Sequence, residues 1–184
     1  MNSLGQQECR ICKLCGAQST APAFAITVGK GFRARFFCCV ACQSLFLSPL
    51  PDKPILELAY AGSYYGGEEK KFIAPIERAI EWFRRSRARK IGSFLPPGTR
   101  VLDVGCGNGR FLGYLREANF AIEGIELMGK AAERAMAIPE LVLHIGEFES
   151  IELEACSYEG ITLWHVYEHL PHPTLAFLTI ERLL

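Results

Sequence analysis

No stretch of this 184-residue chain is apolar for long enough to cross a bilayer, which takes about 18 uninterrupted apolar residues or more. A surplus of one charge is missing too: 20 Lys and Arg balance 20 Asp and Glu. A neutral total gives no general attraction to nucleic acid or to an anionic membrane. The opening residues, Met1 to Glu8, lack the basic-then-apolar pattern of a secretory signal, so the expected location is cytoplasmic. The low apolar content of disordered chains is also absent: at 49% hydrophobic, the sequence can bury a core, and its length suits one or two domains.

Cysteine, by contrast, is abundant and unevenly placed, with six of the eight lying in the first 42 residues. Without an export signal, clustered cysteines point to metal rather than disulfides. Cys12-x-x-Cys15-Gly16 and Cys39-x-x-Cys42 form two knuckles separated by 23 residues, somewhat longer than usual. Four thiolates in this pattern suit tetrahedral Zn2+ with no open coordination position, hence a structural ion. Cys9 can replace Cys15 by pairing with Cys12; Cys38 is a bystander. Phe24 to Val28 and Phe32 to Phe37 read as strands around Gly29-Lys30-Gly31. So small a module has little core, and the metal would supply much of its folding energy. Arg33 and Arg35, two apart, share a strand face that either is solvated or meets phosphate.

The second half is organised by Val101-Leu-Asp-Val-Gly-Cys-Gly-Asn-Gly109. Val101 to Val104 reads as a strand buried on both faces. Gly105, Gly107 and Gly109 then allow a tight turn and close approach of a ligand, and a helix follows to about Asn119. The dinucleotide fingerprint G-x-G-x-x-G/A fails, because its last position would fall on Arg110. Asp103 stands two residues before the first glycine, where a carboxylate would repel a diphosphate. It suits a ligand bearing an ammonium and a sulfonium, and S-adenosylmethionine (SAM) carries both. Ala121 to Leu127 is a second strand. Glu126 at its end, 21 residues after Gly105, can accept ribose hydroxyls of any adenosine ligand.

Here the chain resembles the class I SAM-dependent methyltransferases, whose first motif looks like Val101–Gly109. The resemblance implies an α/β fold with a Rossmann-like parallel sheet, of which about four strands are present, behind the small β-rich zinc ribbon. It implies cofactor contacts from Asp103, Gly105, Cys106, Gly107 and Gly109, with Glu126 on the ribose and Leu127 and Met128 against adenine. After the third strand, Leu141–Ile145, the family's Gly-Asp becomes Gly146-Glu147. Glu147 would receive the adenine amino group, and Phe148 either lines the ring or packs in the core. Glu159 to His165 reads as a fourth strand leading into Trp164-His-x-x-Glu-His-Leu-Pro171, which resembles the family's loop beside the methyl group. His165 is the SAM-side candidate. Glu168 or His169 is the candidate general base, or else orders the loop. Read alone, H-x-x-E-H is an inverted zinc-protease motif, but it needs a helix, and Pro171 and Pro173 follow at once. A Tyr-Tyr loop in the family can fold over the site, making Tyr64 and Tyr65 candidates for contacts or for packing.

The expected organisation is a ribbon over residues 1–52, a linker over 53–73 and a SAM-binding domain over 74–184. Residues 54–61 can form a short helix, and Ile76 to Phe94 an amphipathic one with Ile76, Ile80, Phe83 and Ile91 inward. Its basic run, Arg84 to Lys90, reads as a solvated face. A complete class I domain has seven strands, so the natural protein is expected to be longer. The expected reaction is methyl transfer from SAM to a small-molecule acceptor, such as a sugar, a quinone or a polyketide-like metabolite. No membrane partner is expected, nucleic acid is disfavoured, and a homo-oligomer is left open. The rival reading has the ribbon and the basic helix bind or methylate RNA.

Overall fold

The computed structural model describes residues 10–28, 32–49 and 74–184. They fall into two compact units, residues 10–49 and 74–184. Cys9, the Gly29-Lys30-Gly31 turn, the helix expected over 54–61, and Tyr64 and Tyr65 lie outside the described residues.

The first unit is an antiparallel sheet of β1 (Thr20–Val28), β2 (Phe32–Cys39) and β3 (Leu45–Ser48), in that order. Its interior is thin: Phe37, Ala34, Cys12 and Cys39 are buried. Phe37 stacks on Phe46 across β2 and β3 at 5.9 Å between centroids, and Arg10 lies over its ring. The register slips between Pro22 and Phe24, where proline cannot donate to the ladder. Leu45 to Pro51 reads as an extended exit from the ribbon, because its prolines prevent a helix; Leu45 to Ser48 is extended and pairs with β2 from Arg35 to Cys38.

The second unit carries α1 (Ala74–Gly92), β4 (Arg100–Val104), α2 (Arg110–Glu117), β5 (Ala121–Glu126), α3 (Lys130–Ala135), β6 (Val142–Ile145), β7 (Gly160–Thr162) and α4 (Pro173–Leu183). The four strands form a parallel sheet in the order β6-β5-β4-β7. β4 is central and buried from Val101 to Val104, as a strand covered on both faces must be. Val101 and Ile122 pack with Phe111, Leu112 and Leu115 of α2 and Ala88 of α1. Leu102, Val104 and Ile125 pack on the other face with Ala176 and Leu183 of α4. Gly124 in β5 is needed for that closeness: a Cβ there would lie 2.8 Å from Cys106 Sγ and 3.0 Å from Leu112 Cδ1.

Three expectations need correction. The fourth parallel strand stops at Thr162 instead of running to His165. Only Gly160, Ile161 and Thr162 find partners on β4, which itself turns away after Val104. With no strand on its other side among the described residues, the chain leaves the ladder, and His165 adopts a left-handed φ of 59°. Ile76 and Phe83, two of the apolar positions expected to mark the buried face of α1, are 44% and 57% exposed; that face is carried by Ala88, with Ile91 packed against it. Finally, the sequence from Lys130 to Ala137 reads as a helix stopped by Pro139, but α3 ends at Ala135.

A charged hub lies inside this unit. Glu123, in mid-β5, accepts hydrogen bonds from Arg100 Nη2 (2.6 Å), His144 Nε2 (2.9 Å) and Tyr158 Oη (2.7 Å). It thereby ties β4, β5, β6 and the approach to β7 together. Burial opposes its ionisation, but the His144, Arg100 and Tyr158 bonds hold its carboxyl below the ordinary 4.5. A depressed carboxylate stabilises the fold above its unfolded value and loses that contribution as pH falls. Glu123→Gln should therefore cost about 1.5–3 kcal/mol at neutral pH and flatten the acid limb of a chemical-denaturation pH series. An unchanged acid limb would show that the hub contributes nothing to stability.

Candidate functional site

The turn after β4 is built from backbone conformations that side chains resist. Gly105, Gly107 and Gly109 have φ of 66°, 59° and 71°, all in the left-handed region. Two of the three are also packed: a Cβ on Gly105 would meet Val166 Cγ2 at 2.4 Å, and one on Gly109 would meet Ile138 Cδ1 at 2.4 Å. A Cβ on Gly107 would meet nothing within 4 Å, so the turn leaves room at its middle glycine. The N–H groups of Gly105 and Cys106 bond to the Ile125 carbonyl, and that of Gly109 to the Cys106 carbonyl. Gly107 N–H instead donates to Glu126 Oε2 at 2.6 Å.

Glu126 therefore stands where the sequence places it, at the end of β5, and closes on the glycine turn. Its other oxygen, Oε1, accepts the Leu127 N–H. Leu127 and Met128 follow, 59% and 67% exposed, an apolar shelf beside the carboxylate. Asp103 is buried beneath the turn and accepts the Thr162 hydroxyl at 2.6 Å. Burial lifts its carboxyl from the ordinary 3.8 to about 7; the Thr162 bond pulls it down, Glu126 pushes it up, and Arg87 pulls it down.

Cys106 and Phe148 are brought near, but point inward. Cys106 is packed against Gly124 and Leu112, and burial, with Asp103 and Glu126, pushes its thiol well up. Phe148 sits in the core with Leu102 and Val104. Glu147 is exposed and precedes a 3-10 turn over Phe148–Ser150. His165 is exposed, with Nε2 3.4 Å from Arg87 Nη2 and Nδ1 3.7 Å from Glu168 Oε1. Glu168 and His169 are both exposed in a 3-10 turn over Tyr167–His169. That one turn leaves His165 outside it, so the H-x-x-E-H residues do not form a helical metal face.

Arg87 and Thr162 were not singled out in the sequence. Arg87 looked like one member of a solvated basic run. Instead, its guanidinium lies 4.3 Å over the Trp164 ring, beside His165. The rest of the run is dispersed as well: Arg84 pairs with Glu81, Arg85 covers Tyr114, and Lys90 lies over Phe94. Glu81 also accepts from Arg110 and Tyr114, locking α1 to α2.

In the first unit, Cys12, Cys15, Cys39 and Cys42 converge, with all four Sγ atoms within 4.8 Å of one another. Among the described residues this is the only such cluster of three or more metal-binding side chains. Each knuckle closes with the same bond: Gly16 N–H to the Cys12 carbonyl and Gln43 N–H to the Cys39 carbonyl. The residue after each second cysteine is left-handed, Gly16 at 73° and Gln43 at 62°. Glycine was the sequence signal for the first knuckle; the second achieves the same turn without it.

Comparison with known proteins fits this geometry. Residues 71–184 match the model of a family described as a methyltransferase domain. No curated protein matches the chain significantly. Similar solved structures include one assigned as a methyltransferase of an antibiotic biosynthesis pathway in Anabaena variabilis. It is 21% identical at TM-score 0.50, covering 54% of this chain and 41% of that one. Another is one assigned as an S-adenosyl-L-methionine-dependent methyltransferase of Methanococcus maripaludis, 19% identical at TM-score 0.50, covering 65% and 63% respectively. The YcgJ protein of Bacillus subtilis, 19% identical at TM-score 0.50, covers 56% and 46%. This chain thus spans less than two thirds of each of these structures, and the likeness is one of fold. With more than half its length matched and a parallel sheet ending in this glycine turn, the chain belongs to the methyltransferase-domain family.

The glycines differ in a way that stability measurements can separate. Gly109→Ala must displace Ile138 and hold alanine left-handed, and should cost about 2–4 kcal/mol. Gly107→Ala meets only the backbone penalty, about 1–2 kcal/mol. Equal losses in urea denaturation would show that the packing difference is not felt.

Proposed function

We propose that the second unit is the cofactor-binding part of a SAM-dependent methyltransferase acting on a small-molecule acceptor. The observation that carries this reading is the buried Asp103 carboxylate beneath a glycine turn, with Glu126 at the end of the next strand. Two carboxylates around a turn suit a cationic nucleoside and repel a diphosphate. The open side of Gly107 provides the space. When bound, SAM would supply an electrophilic methyl group on sulfur, which the acceptor's nucleophile would take in line as the carbon–sulfur bond breaks and S-adenosylhomocysteine leaves.

The chain's own residues do the positioning. Asp103 takes the ammonium, and the Arg87 guanidinium, on the α1 side, faces the carboxylate of the same amino-acid moiety. Glu126, which accepts the Gly107 N–H here, would hold the ribose hydroxyls, Leu127 and Met128 would line the base, and Glu147 would receive its amino group. Cys106 and Phe148 act from the core, holding the turn and the β6 end in place. His165 borders the transferred methyl. Glu168 and His169 are the bases available to an acceptor that must lose a proton. The dispersed contacts of Arg84, Arg85, Arg87 and Lys90 favour a small acceptor over RNA, which needs a continuous basic track. We place the reaction in the cytoplasm, where reduced thiols stay available to zinc, and leave self-association as an expectation.

The four cysteines are assigned to structural Zn2+. At Zn–S of about 2.3 Å, tetrahedral thiolates stand about 3.8 Å apart. Cys12 and Cys42 Sγ are 3.7 Å apart and Cys15 and Cys39 Sγ 3.6 Å, far beyond disulfide length. Ser44 Oγ, 3.2 Å from Cys12 and 3.1 Å from Cys42, can donate its one hydroxyl proton to either sulfur.

Calorimetric titration tests the cofactor assignment. SAM and S-adenosylhomocysteine should bind and NAD should not, and Asp103→Ala and Glu126→Ala should each weaken binding about tenfold or more, about 1.4 kcal/mol. Binding of NAD alone would sink the reading. Metal analysis of reduced protein should give one zinc per chain, released by Cys39→Ser; metal-free protein with an intact first unit would refute the zinc site.

A further inference from the structure

Asp103 has a hydroxyl partner that the cofactor reading does not use. Thr162, the last residue of β7, stands beside Asp103 in the parallel register. Its Oγ1 donates to Asp103 Oδ1 at 2.6 Å, and the two residues are only 7% and 4% exposed. A buried position on a parallel strand ordinarily favours valine or isoleucine. A hydroxyl there must give up water and recovers that loss only through its bond. We propose that Thr162 is a positioning residue, whose hydroxyl fixes the orientation of the Asp103 carboxylate and holds it in the anionic form that receives an ammonium. The consequence for binding rests on the SAM reading above; the link between Thr162 and Asp103 does not.

The surroundings show why one hydroxyl matters. From β5, Glu126 opposes a second negative charge; from α1, Arg87 favours it. In the turn, the Cys106 thiol stays protonated and offers no charge. With burial and Glu126 set against Arg87 and Thr162, Asp103 is balanced near neutrality, at about 7. Removing a charge-assisted donor from so balanced a group should move its midpoint upward by about one pH unit, a tenfold change in its proton equilibrium.

Three variants test the proposal: Thr162→Val, which keeps the shape without the hydroxyl; Thr162→Ser, which restores it; and Asp103→Asn. The first readout is thermal stability against pH, without ligand. A carboxyl raised above its ordinary 3.8 makes the fold lose stability as pH rises through the interval up to about 7. That loss should extend to higher pH in Thr162→Val, follow wild type in Thr162→Ser, and disappear in Asp103→Asn. The second readout is affinity for S-adenosylhomocysteine, which carries the ammonium. Thr162→Val should bind about fivefold more weakly at pH 7, as its anionic fraction falls from about one half to about one tenth, and recover toward wild type by about pH 9, with Thr162→Ser close to wild type throughout. Stability profiles of Thr162→Val and wild type that superimpose would overturn the proposal. Wild-type protein that binds no S-adenosylhomocysteine, yet shows the shifted stability profile, would overturn the cofactor reading and leave the Thr162–Asp103 link standing.

Discussion

An anion kept out of water at the end of a strand is costly unless its surroundings are arranged for it. Asp103 is such a group, and much of the second unit can be read as its setting. β4 is central and covered on both faces, so the carboxylate cannot reach solvent. β7 lends a hydroxyl from one side, β5 brings Glu126 from the other, and α1 carries Arg87 toward it. The glycine turn must then fold back directly over the strand end, which explains why three left-handed residues are needed within five positions. At Gly107 the turn leaves room, since a Cβ there would meet nothing within 4 Å.

The Glu123 hub is the structural counterpart of this functional site. It too is a carboxylate inside the sheet, but it is saturated with donors from Arg100, His144 and Tyr158. Its ionisation is favoured where that of Asp103 is opposed. One acid therefore ties strands together, while the other is held by the Thr162 hydroxyl against its own burial. This division gives the two carboxylates of a single parallel sheet opposite electrostatic settings.

Local chemistry made much of this legible in advance. The β4 strand and its glycine turn were readable because apolar β-branched residues and closely spaced glycines act within a few positions. The place of Glu126 at the end of β5 followed from its spacing after Gly105, and the convergence of Cys12, Cys15, Cys39 and Cys42 from the two C-x-x-C spacings together with Gly16, although spacing alone left Cys9 as an alternative to Cys15. What escaped depends on partners distant in sequence. The length of β7 is set by where β4 turns away, which no feature of Leu163 to His165 reveals. Phe83 fits a helical stripe, but the direction of that stripe is decided by what α1 packs against. Arg87 looks like its neighbours until Trp164 is placed beneath it. Glu123 did carry a signal, a charge in mid-strand between Ile122 and Gly124, but nothing local names its three donors. Thr162 is the hardest case, since threonine in a strand is unremarkable until a carboxylate is found beside it.

The rim position of β7 gives the pocket a mechanical dependence. That strand is held by three paired residues along one side, and short edges of this kind breathe more readily than strands enclosed on both flanks. Each opening event would take the hydroxyl away and let water in, so the charge offered to an arriving guest would flicker with the fraying of the sheet's border. Whatever clamps that border, whether another chain or a further strand, would thereby steady the electrostatics of a carboxylate it never touches.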